Sequence, residues 1–223
     1  MLPENHARIL ERLRDEDRVL DVGGWASPFP RADAVIDLMP YETRGLYGAL
    51  DDAPERFSAA TWVQQDICGR EPWPYADGEF DFAICSHTLE DVRDPVFVCS
   101  ELMRVARAGF VEVPSRLEEQ TPGVQGPWVG WGHHFWLCDV TQDPPGIEFV
   151  FKHHILHGLT ELQVDPAAYR ASAPVDRVAW FFWEGSFACS ERLFEDPHAL
   201  NAHLAEVADA HPPPPRWRRR RSA

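Results

Sequence analysis

The chain is nearly without lysine: Lys152 stands alone, and arginine carries the rest of the basic charge. Even so, Lys plus Arg reach only 21 against 36 Asp plus Glu, a formal net charge of -15. A body this acidic repels a phosphate backbone, which argues against nucleic acid as a partner. The basic exception is terminal, where Arg216 and Arg218 to Arg221 flank Trp217. Long apolar runs are missing too. None approaches the ~20 residues of a membrane span, and MLPENHARILERLRDEDRVL lacks the apolar core of a signal peptide. No membrane association and a cytoplasmic location are therefore expected. The cysteines Cys68, Cys85, Cys99, Cys138 and Cys189 include no CxxC pair. Their odd number and wide spacing suit reduced, buried thiols better than a disulfide framework. Internal repeats are absent. The Pro-rich and Arg-rich end, 212–223, is the one low-complexity stretch and is expected to be disordered.

What remains is globular: 44% of residues are hydrophobic and 26% charged. A length of 223 residues suits one α/β domain, read here as a single domain over 1–211. ENHARILERLR at 4–14 spaces its apolar residues as a short amphipathic helix does. Apolar runs at 19–22, 34–38, 61–66, 80–86 and 109–113 read as strands, with helices around 44–57 and at 95–106 between them. Strands alternating with helices imply crossovers and a parallel sheet. The expected fold of 1–115 is a doubly wound, mostly parallel, Rossmann-like α/β sheet. Beyond it, 116–132 is rich in Gly, Pro and Trp and reads as a loop. HFWLCDV and IEFVFKHH around TQDPPG predict an antiparallel hairpin. Residues 177–194 predict a second hairpin, turning near Glu184 and Gly185, and 198–210 predicts a helix.

Polar groups recur where the strands end. Asp21 precedes Gly23 and Gly24 at the end of the first strand, and Asp37 ends the second. Asp66 and Ile67 follow the third, and Ser86 and His87 end the fourth. In open α/β sheets the ligand crevice lies at such ends, where a carboxylate can accept both hydroxyls of a ribose. Glycine there admits a ligand close to the backbone. An acid after the third strand can accept from an adenine amino group while Ile67 packs on the ring. Together these groups suggest one nucleoside site.

VLDVGG, AVID, QQDI and FDFAICSHTLEDVRDP, followed by ELMRV and FVEVPS, resemble the class I S-adenosylmethionine-dependent methyltransferases. The resemblance is nearest to the methyltransferase type 11 group and covers about residues 15–115. It implies S-adenosylmethionine as cofactor and a small-molecule acceptor, with an O- or N-acceptor favoured by family frequency. By resemblance, Asp21, Gly23 and Gly24 line the methionine end of the cofactor. Asp37, followed by Leu38, holds the ribose, and Asp66 with Ile67 holds adenine. Ser86 and His87 lie under the sulfonium, so His87 is the first candidate catalytic group. The sequence departs from the family's D-x-G-x-G-x-G turn by carrying Trp25 and Ser27 at the later glycine positions. The stretch from Gly24 to Ala34 is also too short for an ordinary crossover helix. The cofactor loop is therefore expected to be rebuilt, with Trp25 as a wall.

Other readings stay open. His133 and His134, second candidates for catalysis, stand on one strand of the first hairpin and His153 and His154 on the other. Meeting across the ladder, they could form a metal-dependent site, although no short-spaced ligand signature supports a metal. Trp128, Trp131 and Trp136 around His133 suit either a lid over an acceptor pocket or packing. Glu90 and Asp91 read as a solvated turn. The altered glycine turn leaves room for a catalytically inactive scaffold or binding subunit. An exposed hairpin face leaves room for a homodimer.

Overall fold

The computed structural model describes residues 1–48, 53–69 and 71–212. They divide into two compact units. One comprises Met1–Ser115, His133–Lys152 and Val178–Leu193; the other comprises Arg116–Gly132, His153–Arg177 and the residues from Phe194 on.

In the first unit the strands are β1 (Val19–Val22), β2 (Ala34–Asp37), β3 (Trp62–Gln64), β4 (Phe80–Ser86), β5 (Ala106–Pro114), β6 (Trp136–Gln142), β7 (Pro145–Phe151), β8 (Val178–Glu184) and β9 (Ala188–Glu191). A six-stranded sheet runs in the order β3-β2-β1-β4-β5-β8. Its first five strands are mutually parallel, and β8 closes the β5 edge antiparallel. A second sheet, β6-β7-β9, holds the predicted first hairpin, with β9 added parallel to β7.

Both faces of the large sheet are buried, which is why its strands read as continuous apolar runs. On one face Leu20, Val22, Ile36, Val111 and Phe181 join a core with helix α2 (Pro95–Val105) and with Trp136, Cys138, Ile147 and Phe149 of the small sheet. On the other face Val19, Val35, Ile84 and Phe110 pack with Ile9 of helix α1 (Pro3–Arg12) and with Phe29 and Phe57. All five cysteines are free thiols, and Cys68, Cys85, Cys99 and Cys138 are buried.

The second unit contains α3 (Arg116–Glu119), α4 (Ile155–Gly158), α5 (Pro166–Ala171) and α6 (Pro197–Ala210). Helices α2, α5 and α6 start alike: Asp94, Asp165 and Asp196 each accept backbone N–H groups of the first turn, and a proline follows. The Asp side chain satisfies orphan donors, and proline at the first helical position forfeits no hydrogen bond. Among the described residues no helix is long and apolar enough to cross a membrane.

Three expectations differ from what is found. The helix around 44–57 does not form in its described part, which is turn and loop following a 3-10 turn at Tyr41–Thr43. Gly45 and Gly48 adopt φ of 82° and 80°, which a helix cannot contain; residues 49–52 lie outside the described set. The second hairpin does not form. Its two strands exist and the chain turns at Gly185, but β8 pairs with β5 and β9 with β7, in different sheets. Within 116–132, read as loop, α3 forms one helical turn. The Arg-rich end, with Trp217, lies outside the described residues.

Candidate functional site

The strand order reverses beside β1, which has β2 on one side and β4 on the other. This switch point is where open α/β sheets form a crevice at the carboxyl ends of their strands. Asp21 is buried there, and its Oδ2 accepts the Phe29 N–H at 2.8 Å. Burial pushes the Asp21 carboxyl up to about 7, the Phe29 bond opposing and the Asp37 charge assisting. Gly23 has φ of 75° and donates to the Ile36 carbonyl at 2.9 Å. A Cβ on Gly23 would stand 2.3 Å from Thr88 Oγ1, and one on Gly24 2.1 Å from Asp21 Oδ2. The chain's own side chains fill the space that both glycines vacate.

As expected, no crossover helix follows the glycines; a 3-10 turn, Gly24–Ala26, carries Trp25. Trp25 donates its N–H to Asp37 Oδ2 at 3.0 Å and its indole N–H to Thr43 Oγ1 at 3.0 Å. Asp37 Oδ1 accepts the Met39 N–H at 2.8 Å. Burial raises the Asp37 carboxyl, against those backbone bonds. With the Leu38 N–H as a third backbone donor, the roughly four acceptor sites of a carboxylate leave one to offer. Leu38, next in the chain, is 61% exposed. Beyond β3, Asp66 pairs with Arg93 and accepts the Cys68 N–H at 3.1 Å. Burial works to raise the Asp66 carboxyl, but the Cys68 bonds and the Arg93 charge hold it below the ordinary range. Ile67 is buried, its carbonyl accepting from Trp73 Nε1 at 3.0 Å.

At the end of β4, Ser86 donates its hydroxyl to Glu112 Oε1 at 3.2 Å. His87 follows in the left-handed region, with φ of 53°. Its Nε2 lies 3.1 Å from Glu112 Oε1 and its Nδ1 3.6 Å from Glu90 Oε1. The imidazole is 35% exposed, while the two carboxylates are at 0% and 1%. Burial works to lower the His87 pKa, but the two carboxylates outweigh it and raise the group to about 9.

Sequence reasoning missed both glutamates. Glu112 had a signal, since it is a lone acid inside the apolar run GFVEV, in register with Ser86. Glu90, read as solvated, is fully buried instead. Its carbonyl accepts the Phe135 N–H at 2.8 Å and the Trp136 N–H at 3.2 Å, so the start of β6 covers it.

That same anchoring brings His133 and His134 close to Asp91. The two rings meet edge to face at 4.5 Å. Burial raises the Asp91 carboxyl and the two histidines pull it down. His153 and His154 stack on each other at 4.1 Å in the second unit. The β6–β7 ladder ends at the Trp136–Phe151 pair, so neither histidine pair lies within it. Among the described residues no group of three or more His, Cys, Asp or Glu is placed to hold a metal ion. Trp136 packs with its indole N–H on the Val92 carbonyl at 2.8 Å. In the second unit Trp131 donates to Glu118 at 2.7 Å and Trp128 sits edge-on to His157.

Five parallel strands in the order 3-2-1-4-5, an antiparallel strand against β5 and acids ending β1 and β2 define a class I methyltransferase-like fold. Residues 36–110 match the family model described as a methyltransferase domain. That segment runs from the end of β2 into β5, and methyltransferases of the matched family use S-adenosylmethionine as cofactor. Solved structures resemble the chain at low identity. One belongs to the Haloferax volcanii complex between the Trm112 methyltransferase activator and a candidate methyltransferase: 16% identity, 51% of this chain, 51% of that one, TM-score 0.38. Another is an S-adenosylmethionine-dependent methyltransferase from Mesorhizobium loti: 16% identity, 52% and 56% covered, TM-score 0.36. A third, also S-adenosylmethionine-dependent, is from Methanosarcina mazei: 19% identity, 49% and 57% covered, TM-score 0.35. The match thus spans about half the length of each. Among curated proteins nothing matches the chain.

Proposed function

We propose that this protein transfers a methyl group from S-adenosylmethionine to a small-molecule acceptor, an oxygen or nitrogen nucleophile. The observation that carries the reading is the row of acids at successive strand ends, Asp21, Asp37 and Asp66, within and beside the matched segment. The nucleoside half of the cofactor fits this row. Asp37 keeps an acceptor site for a ribose hydroxyl, exposed Leu38 offers an apolar surface beside it, and Asp66 with Ile67 suits adenine. Gly23, Gly24, Trp25 and Ser86 border the methionine half. When bound, S-adenosylmethionine supplies a methyl group already activated by its sulfonium charge.

The chain's own residues orient the acceptor and receive its proton. His87, His133 and His134 are the groups we assign to the acceptor side. The exposed Asp91 carboxyl lies beside His133 and His134, a carboxylate within reach of both rings. The test is release of S-adenosylhomocysteine with a panel of small alcohols, phenols and amines. Acceptor-dependent release supports the reading.

One observation favours a second reading, a binding subunit without turnover. Thr88 and Asp21 fill the space beside Gly23 and Gly24, and Trp25 replaces a glycine of the family turn. Protein that binds the cofactor, yet releases no product with any acceptor class, would favour this alternative.

A further inference from the structure

We propose that Glu112 and Glu90 are positioning residues: together they hold His87 as the charged centre of a buried ion cluster, so that His87 braces the end of β4 and the acceptor's proton leaves to another group. The bracing follows from geometry alone; the consequence for the acceptor rests on the methyltransfer reading.

The donors around Glu112 come from three elements. Leu2 N–H reaches Oε1 at 3.0 Å and Oε2 at 3.2 Å, and Asn5 Nδ2 of α1 donates to Oε2 at 2.7 Å. Ser86 Oγ of β4 and His87 Nε2 reach Oε1 at 3.2 Å and 3.1 Å. The Met1 nitrogen lies 3.6 Å from the same oxygen. A protonated carboxyl would bring one more donor into this crowd, whereas a carboxylate is acceptor-only and can serve them all. Glu112 is therefore the anion of the cluster, held below the ordinary carboxyl range by His87 against the effect of burial.

Glu90 supplies the other side. Both of its carboxylate oxygens are buried, with no hydrogen-bond partner among the described residues. The His87 ring lies beside them, with Nδ1 3.6 Å from Oε1. A buried carboxylate without compensation is costly, so the nearby ring is favoured in its protonated form. His87 then faces a carboxylate from each ring nitrogen. An imidazolium has two N–H donors and no lone pair, so it cannot accept a proton from the acceptor. The left-handed backbone at His87, fixed by its N–H on the Glu112 carbonyl at 2.8 Å, delivers the ring into this slot.

The test is an NMR titration of the histidine ring carbons in the full chain without cofactor, with His87 assigned by H87Q. Wild-type His87 should titrate at about 9. In E90Q, which leaves every donor on Glu112 in place, and in E112Q, the midpoint should fall by about one unit or more, a tenfold or greater change in proton affinity. Glu112 also anchors Leu2 and Asn5, so E112Q is the variant at risk of misfolding; E90Q alone decides the matter. A wild-type midpoint near the ordinary 6.5, or one that E90Q leaves unmoved, overturns the proposal. Loss of the methyltransfer reading would show separately, as absence of cofactor binding, with the ring titration unchanged.

Discussion

Asp21 and Gly24 interlock, and each makes a prediction about the other. The Asp21 carboxyl is raised from 3.8 to about 7, so its ionisation opposes folding. The stability tied to its neutral form is fully present below the ordinary carboxyl value and is lost as pH rises through about 7. Asp21→Asn keeps an oxygen for the Phe29 N–H and cannot ionise. Its denaturant midpoint at pH 8 should equal or exceed that of wild type, with the advantage shrinking toward pH 4. A variant clearly weaker at pH 8 would mean that the ionised carboxylate is needed. Gly24→Ala would set a methyl 2.1 Å from Asp21 Oδ2 and should destabilise by about 1–3 kcal/mol, as overpacking does. An unchanged urea midpoint would mean that the loop yields freely. At this scale the site was half legible. Asp21, Asp37 and Asp66 are visible because each interrupts or ends an apolar run. Glu90 was not, because its burial is created by β6, which begins far along the chain and gives no local sign of where it will dock.

Among the elements, the strands and helices that repeat a simple pattern were the readable ones. β1 and β4 coincide with their apolar runs because both faces are buried, and α2 and α6 follow an Asp-Pro start. In α6 Asp196 Oδ1 accepts from the His198 and Ala199 N–H groups at 2.7 and 2.9 Å. Asp196→Ala should therefore cost roughly 1 kcal/mol, read as faster amide exchange across α6. Unaltered exchange would remove the cap from the account. Pairing partners were not readable. The alternation in 177–194 shows two strands and a turn, but nothing local says that one completes the large sheet and the other the small one. The boundary before β5 carries no turn signal either, because α2 ends at Val105 and the strand begins at Ala106 with no loop between them.

Taken whole, the chain keeps the sheet and switch point of a class I methyltransferase-like fold while building two supports of its own. A 3-10 turn with Trp25 stands where the family's glycine turn runs on, and the small sheet shares with α2 the covering of one face. The net charge of -15 leaves electrostatics favourable to a cationic ligand and unfavourable to a polyanion. We propose above all that the strand-end site still takes the cofactor. Isothermal titration of the folded chain with S-adenosylmethionine, and separately with S-adenosylhomocysteine, tests it most directly. Saturable binding of both, on the order of micromolar and weakened at least tenfold by Asp37→Ala, is the predicted result. Absence of binding of either ligand to protein shown to be folded, or binding indifferent to Asp37→Ala, would contradict it.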